Sequence, residues 1–419
     1  MIVLQEKMTT MGKIGVLVVP SDTYGVGHFR SVNPHTYLDS LYGDEFYVEI
    51  DYNPNWSDLQ RFNKYHIVHV HKGVFTRMEP FWNAMDYFKA NNIVTVLDID
   101  DNWEVGPNHP LYAQNKSFHI SEKIIESLKR ADYVTTTTEI FAEKIKKYNK
   151  NVFVFQNAID PENPHYSSEK EECDRIRFGF LMGSSHEKDL EQFQGLVTKL
   201  PKEILDKIQI VLCGFDLRGT MTMMNPDGSV NGRRPIKPTE SVWYAYEKIL
   251  TNNYSICSKE YTDFLLKFLR NVQWPDVNNE PYRREWTMPI STYGDLYKHI
   301  DVLFAPLDCN SFNEVKSELK FIEGGFTRTA VIATNFGPYK IGSRSIFKKG
   351  GEIDPEGNCV LIEPEKKHKA WEQAVKKIVE HPEYIKMMTD NMYETVKDKY
   401  DIRNVTKIRA DWYKSIVKK

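Results

Sequence analysis

The chain has 419 residues and a net charge of −3; that is too long for one ordinary core and lacks the global positive field of a dedicated nucleic-acid binder. Hydrophobic residues make up 41% and aromatic residues 13%, enough for packed domains and against wholesale disorder. The cysteines (Cys173, Cys213, Cys257, Cys309, Cys359) are scattered and form no C-x-x-C pair, which argues against a disulfide framework or structural zinc and fits a reducing compartment.

The opening stretch MIVLQEKMTTMGKIGVLVVP has a short apolar start before Gln5, Glu6 and Lys7. A signal peptide needs a longer apolar core, and no later run reaches membrane-spanning length. The expectation is a cytoplasmic protein, with peripheral contact at the inner face of a membrane if an acceptor is lipid-linked. Residues 1–11 read as a loose lead-in.

The first element is the apolar run KIGVLVVP (13–20), of strand length. Similar runs follow in HIVHVH (66–71), IVTVLDID (93–100), YVTTTT (133–138) and VFVFQN (152–157). Continuous apolar runs of this kind suit parallel strands buried on both faces. Amphipathic stretches such as EPFWNAMDYFKANN and SEKIIESLKRA lie between them, so strand and helix alternate as in a βαβ array. Residues 158–174 are polar and contain proline, and read as a linker.

The pattern then restarts. RIRFGFLMG (175–183), IQIVLCG (208–214), DVLFAP (301–306) and AVIATN (330–335) read as strands, and EKDLEQFQGLVTKL and the long stretch from Lys369 to Tyr400 as helical. Residues 216–285 break the rhythm. RGTMTMMNPDGSVNGRRPIKP reads as a long loop, while VWYAYEKIL and EYTDFLLKFL read as helices. Trp243, Tyr244, Tyr246 and Tyr254 in this insertion fit a core or subunit contact better than a sugar-stacking platform.

Several short stretches carry candidate chemistry. In NEVKSELKFIEGG (313–325), Lys316, Lys320 and Glu323 fall at i, i+4 and i+7, one stripe of a predicted helix. The stripe follows a strand's carboxyl end, where open α/β sheets bind ligands. Lys316, Ser317 and Lys320 suit a phosphate, and Glu323 suits sugar hydroxyls; an ordinary solvated face is the competing reading. In SDTYGVGHFRS (21–31), Gly25 and Gly27 allow close backbone approach and Arg30 offers a clamp for an anion. A tight βα turn explains the same glycines. GSSHEKDL (183–190) offers Gly183, Ser184 and Ser185 as small donors, with helix capping by His186 and Asp189 as the alternative.

HVHKG sends His69 and His71 to one face of a strand end, yet no third metal ligand can be placed. Asp98, Asp100 and Asp101 in DIDDNW fit either a magnesium site or an Asx-type turn. The glycine spacing lacks the third glycine of a dinucleotide fingerprint, which disfavours a nicotinamide dehydrogenase.

In their order along the chain these motifs resemble the GT-B nucleotide-sugar glycosyltransferases, and among them glycosyltransferase family 4 (group 1). FNEVKSELKFIEGGFTRTAVIATNFGPY resembles that family's donor signature, with Glu323 at its ribose-binding glutamate. ADYVTTTTEIFAEKI and VFQNAID are similar to the end of its N-terminal domain. FLMGSSHEKDL is similar to its first C-domain loop, and YGDLYKHIDVLFAPL to the segment before the signature. His71 matches its H-x-H strand end, and Gly25 and Gly27 its N-terminal glycine loop. The resemblance spans most of the chain outside 216–285. The family's Glu-x7-Glu is incomplete here, because Val315 stands eight positions before Glu323 and Glu314 is displaced by one. Of its C-domain arginine–lysine pair, Lys188 stands for one member, with Lys316 and Lys320 in the phosphate role.

The resemblance implies two Rossmann-like domains whose parallel sheets face across a cleft. These are an acceptor-side domain at 1–165, a donor-binding domain at 166–395 with the insertion 216–285, and a C-terminal helix at 396–419 packing back on the first domain. It implies retaining, metal-independent transfer of a sugar from a UDP- or GDP-linked donor to a hydroxyl of a glycan or glycoconjugate, with no cofactor. His71, Lys316 and Lys320 would act at the reacting centre. Gly25, Gly27, Arg30, Gly183, Ser184, Ser185, Ser317 and Glu323 would hold the donor. A non-catalytic nucleotide-sugar binder and a sugar-nucleotide epimerase of the same architecture are the rival readings.

Overall fold

Each half of the chain gathers its apolar runs into a parallel sheet. In the computed structural model, described for residues 12–417 apart from 108, 110, 217–219, 225–229, 238–239, 252–281 and 349, the first sheet contains β1 (Ile14–Val19), β2 (Phe46–Ile50), β3 (Ile67–His71), β4 (Val94–Asp98), β5 (Tyr133–Thr136) and β6 (Val152–Val154) in the order β2-β1-β3-β4-β5-β6. The second contains β7 (Ile176–Leu181), β8 (Ile208–Phe215), β11 (Tyr282–Trp286), β12 (Val302–Ala305), β13 (Ala330–Thr334) and β14 (Val360–Ile362) in the order β11-β8-β7-β12-β13-β14. Between β8 and β11 lies a separate antiparallel pair, β9 (Thr220–Met224) with β10 (Val230–Pro235).

The first sheet is buried on both faces, which is why its strands read as unbroken apolar runs. On one side Leu17, Val19, Val68, Val70 and Leu97 pack with Phe81, Met85 and Phe88 of helix Glu79–Ala90 and Leu128 of helix Ile120–Arg130. On the other, Val16, Val18, Ile67, Val94 and Val96 pack with Leu38 of helix Asn33–Tyr42 and with Ala410 and Tyr413 of helix Ile402–Ile416. The second sheet packs Phe178, Phe180, Leu212, Phe304 and Ile332 with Trp243, Tyr246, Trp371 and Val375. Trp243 and Tyr246 are therefore core residues, as the sequence suggested; Tyr254 and the stretch EYTDFLLKFL lie outside the described residues.

The contacts divide the chain into two units. One comprises the residues up to Glu162, Cys309–Ile322 and Val396 onward; the other comprises Asn163–Asp308 and Glu323–Thr395. The sequence counts 309–322 with the second half, whereas in the structure that segment packs with the first unit. Val315 is buried in the first unit's core, and Asn102 Nδ2 donates to Ser311 O at 2.8 Å.

Two further differences have physical reasons. β2, β11 and β14, absent from the sequence reading, are edge strands of their sheets; partial exposure removes the continuous apolar signal in β2 and β11, and β14 is an apolar run of only three residues. The stretch expected to be one long loop carries the β9–β10 pair, announced by the alternation of TMTMM rather than by apolar continuity. Among the described residues no helix is long and apolar enough to cross a membrane.

Candidate functional site

In the first unit, site residues collect at the carboxyl ends of β1, β3 and β4. After β1 the chain turns through Ser21 and Asp22 into a single helical turn, Gly25–Gly27, and then a π-helical turn, His28–Val32. Asp22 Oδ1 accepts from the N–H groups of Tyr24 at 2.9 Å and Gly27 at 3.1 Å, satisfying donors that a helix start leaves unpaired. Burial pushes the Asp22 carboxyl up, but the Ser21 hydroxyl and these backbone N–H groups hold it below its ordinary range. A Cβ on Gly27 would lie 2.2 Å from Asp22 O. The glycine thus serves the approach of the protein's own Asp22.

Arg30 does act as a clamp, and the carboxylate it grips is Asp98. Its Nε reaches Asp98 Oδ2 at 2.9 Å and its Nη2 reaches Oδ1 at 2.6 Å, with both side chains buried. Nη1 donates to Phe155 O at 2.7 Å and to Asn157 Oδ1 at 3.1 Å. Thr135 Oγ1 adds a third bond to Asp98 at 2.5 Å. Burial alone would raise the Asp98 carboxyl; the guanidinium outweighs it and holds the group low. Arg30 is therefore internal framework under the site, not a side chain displayed to a ligand.

His71 ends β3, opposite Asp98 in the register. Its Nδ1 lies 2.8 Å from Ser21 Oγ and its Nε2 3.1 Å from Asp100 Oδ1. Lys72, in the left-handed region at φ 59°, places Nζ 3.5 Å from Asp100 and 3.3 Å from Asp101. Burial raises the Asp100 carboxyl, and Lys72 and His71 together bring it far below its usual range. The strand-end aspartates of DIDDNW thus face Arg30, Lys72 and His71. His69, on the same strand face, is buried against Tyr413, whose hydroxyl lies 3.0 Å from its Nδ1. Burial brings its imidazole down to about 3, the behaviour of a neutral structural histidine.

The segment 313–326 departs from the predicted single helix. Asn313–Val315 form one 3₁₀ turn, Lys316 is extended at φ −56° and ψ 163°, and the helix runs from Leu319 to Phe326. Lys316 and Ser317 therefore precede the helix, and no three-residue charged stripe forms. Lys316 Nζ stands 5.2 Å from the Phe312 ring centroid. Ser317 Oγ accepts from Asn157 Nδ2 at 2.9 Å. Glu318 is buried and accepts from the Tyr400 hydroxyl at 2.7 Å; burial raises its carboxyl. Lys320 lies on the helix and is half-buried.

In the second unit, Glu323 is fully buried. Its Oε2 accepts from Tyr297 Oη at 2.5 Å and from Tyr293 Oη at 3.3 Å. Burial, reinforced by this carboxylate, pushes both phenols well above their ordinary range, so they remain donors. Gly324 beside it admits no Cβ, which would stand 2.8 Å from Thr329 O and from Val331 Cγ2. Residues Phe321–Phe326 of the helix are all buried. After β7, Gly183, Ser184 and Ser185 are exposed. His186 stands at the N-cap of the short helix Glu187–Leu190 without a side-chain cap bond; its Nδ1 instead pairs with Asp189 Oδ2 at 2.6 Å, and Tyr246 Oη donates to Gly183 O at 2.9 Å. Lys188 pairs with Glu191 at 2.6 Å on the surface.

Asn157, Tyr293 and Tyr297 were not singled out from the sequence. A lone asparagine after a strand or a tyrosine in a short turn carries no spacing that marks it, and only the folded contacts reveal the role.

No protein-family model and no curated protein matches the chain. Solved structures do. Sucrose-phosphate synthase from Thermosynechococcus elongatus aligns over 96% of this chain and 98% of its own at 12% identity with a TM-score of 0.59. HepE from Anabaena, solved with UDP-glucose, aligns over 96% of this chain and 99% of its own at 9% identity and a TM-score of 0.58. A glycosyltransferase from Rickettsia africae aligns over 97% and 99% at 12% identity and 0.55. Together with the two six-stranded parallel sheets, these likenesses show that the chain has the GT-B fold of nucleotide-sugar glycosyltransferases, with two Rossmann-like domains.

Proposed function

We propose that the protein is a glycosyltransferase that moves a sugar from a nucleoside diphosphate to an acceptor hydroxyl. The observation that carries this reading is the likeness of fold over nearly the whole chain to HepE, which was solved with UDP-glucose and with UDP and glucose. The helix Leu319–Phe326 supports it by bringing Lys320 and Glu323 onto one short element between β12 and β13.

In the reaction, the bond from the sugar's anomeric carbon to the β-phosphate oxygen breaks and a bond to the acceptor oxygen forms. The acceptor's proton passes to the leaving phosphate oxygen. Negative charge builds on that phosphate, and an enzyme gains most by stabilising it there. Lys316, Lys320 and the Ser317 hydroxyl are the donors suited to it, without a metal. Glu323 accepts from the ribose hydroxyls; its carboxylate has about four lone-pair sites, so the tyrosine bonds do not exhaust it. His71, set by Asp100, contacts the transferred sugar. Retention at the anomeric carbon follows from the resemblance to family 4 and is read from the anomer of the product by NMR.

One observation favours a second reading, nucleotide-sugar binding without turnover. Val315 stands where the family carries its first glutamate, and it is packed into the core.

Calorimetry with UDP and GDP tests the assignment. Lys320→Ala and Glu323→Ala are each expected to weaken binding, and Glu323→Ala also to abolish preference for a ribonucleotide over its 2′-deoxy form. Unchanged affinity in both variants would sink the site. Turnover across a panel of nucleotide sugars separates the enzyme from the binder.

A further inference from the structure

We propose that Asn157 is a positioning residue that turns the Ser317 hydroxyl into a committed hydrogen-bond donor for a phosphate oxygen of the nucleoside diphosphate; this rests on the glycosyl-transfer reading above. The argument begins with which way the Asn157 amide must face. One end lies 3.1 Å from Arg30 Nη1 and the other 2.9 Å from Ser317 Oγ. A guanidinium has donors and no acceptor. The amide oxygen therefore faces Arg30, and the NH2 group faces Ser317.

Ser317 Oγ is then the acceptor in that bond. A hydroxyl has one proton, and this one is not used towards Asn157. It is available to donate to a ligand, and the preceding residue, Lys316, supplies a cation whose ammonium stands 5.2 Å from the Phe312 ring centroid. A hydroxyl donor and a cation together match the several acceptor oxygens of a phosphate.

The arrangement is also rigid. Asn157 is 6% exposed. Behind it, Arg30 is fixed by the two bonds it donates to Asp98 and the one it donates to Phe155 O, and Asp98 also accepts from Thr135. The chain from Thr135 through Asp98, Arg30 and Asn157 to Ser317 thus has one proton arrangement that satisfies every member. Such preorganisation avoids reorienting a donor when charge develops.

The test measures binding of UDP, GDP and the matching nucleosides to the full-length protein by calorimetry, for wild type, Asn157→Asp, Asn157→Ala, Ser317→Ala and the double variant Asn157→Asp/Ser317→Ala. A carboxylate at 157 keeps the Arg30 bond and draws the Ser317 proton towards itself. Asn157→Asp and Ser317→Ala are each expected to weaken diphosphate binding about tenfold or more and to leave nucleoside binding unchanged. The double variant is expected to be no worse than either single one. A merely structural latch would lower the melting temperature without changing the ratio of diphosphate to nucleoside affinity. An unchanged ratio, or additive losses in the double variant, overturns the assignment of Asn157 alone. Wild-type protein that binds no nucleoside diphosphate overturns the glycosyl-transfer reading and this inference with it. Ser317→Ala lies outside the buried Arg30 cluster, so it keeps the test decisive if a variant at 157 fails to fold.

Discussion

Arg30 and Asp98 meet through two parallel hydrogen bonds, Nε to Oδ2 at 2.9 Å and Nη2 to Oδ1 at 2.6 Å, with side-chain exposures of 1% and 0%. Removing one partner of such a pair leaves an uncompensated charge in the interior. Arg30→Met is therefore expected to destabilise the first unit by about 3–5 kcal/mol. Arg30→Lys recovers little of this, because an ammonium cannot reproduce the bidentate fork. The double variant Arg30→Met/Asp98→Leu should cost less than the sum of the single changes. Urea unfolding followed by circular dichroism measures all of these, and strict additivity would refute the pairing.

Glu318 leads to a pH prediction. Burial raises its carboxyl above the ordinary range, with the Tyr400 hydroxyl opposing that rise. Between the unfolded and folded pKa values the native state holds the proton more tightly than the unfolded chain. The stability linked to that proton is fully present below the unfolded value and is lost as pH rises through the folded value. Glu318→Gln cannot ionise. It is expected to raise the melting temperature relative to wild type at pH 8, with the gain shrinking towards pH 4. Differential scanning calorimetry at both pH values decides this, and a gain that grows on acidification would contradict the raised pKa.

Val315 marks where the chain departs from the pattern of the family its sequence resembles, and its packing says what restoring the pattern would do. The side chain is 3% exposed and joins a cluster with Trp103, Phe141 and Ile145. Val315→Ala is expected to cost about 2 kcal/mol from lost burial and the cavity left behind. Val315→Glu would bury a carboxylate among apolar groups and cost more, with no gain in turnover. A Val315→Glu protein that is stable and faster than wild type would show that position 315 reaches the donor.

Much of the architecture was legible because burial on both faces leaves a continuous apolar run. Ile14–Val19, Val94–Asp98 and Ala330–Thr334 lie within the runs that announced them. The edge strand Phe46–Ile50 escaped because it is partly exposed and carries Glu49, and Val360–Ile362 because it is only three residues long. The strand-end position of His71 is legible in the sequence, whereas its partners Ser21 and Asp100 come from loops whose contacts are set by the fold. The stripe of Lys316, Lys320 and Glu323 failed for a local reason. Helical spacing was assumed from Asn313, yet the helix begins at Leu319, after Val315 has entered the core and Ser317 has turned to Asn157. Arg30 offers a clamp for an anion, but a guanidinium's appetite for a carboxylate does not reveal whose carboxylate it is. Here the answer lay 68 residues away in Asp98.

Tyr297 and Tyr293 both donate to Glu323 Oε2, at 2.5 Å and 3.3 Å, and the difference in length ranks their effects. A hydrogen bond to a charged group contributes about 1.5–3 kcal/mol. Tyr297→Phe is expected to lose most of that amount and Tyr293→Phe distinctly less. If Glu323 receives the ribose, this should register in binding as well. Tyr297→Phe should narrow the affinity gap between a ribonucleotide and its 2′-deoxy counterpart, while Tyr293→Phe should leave the gap nearly intact. Urea unfolding and calorimetry on the two variants measure both consequences. Equal losses in the two proteins would show that the short bond does not set the carboxylate's position.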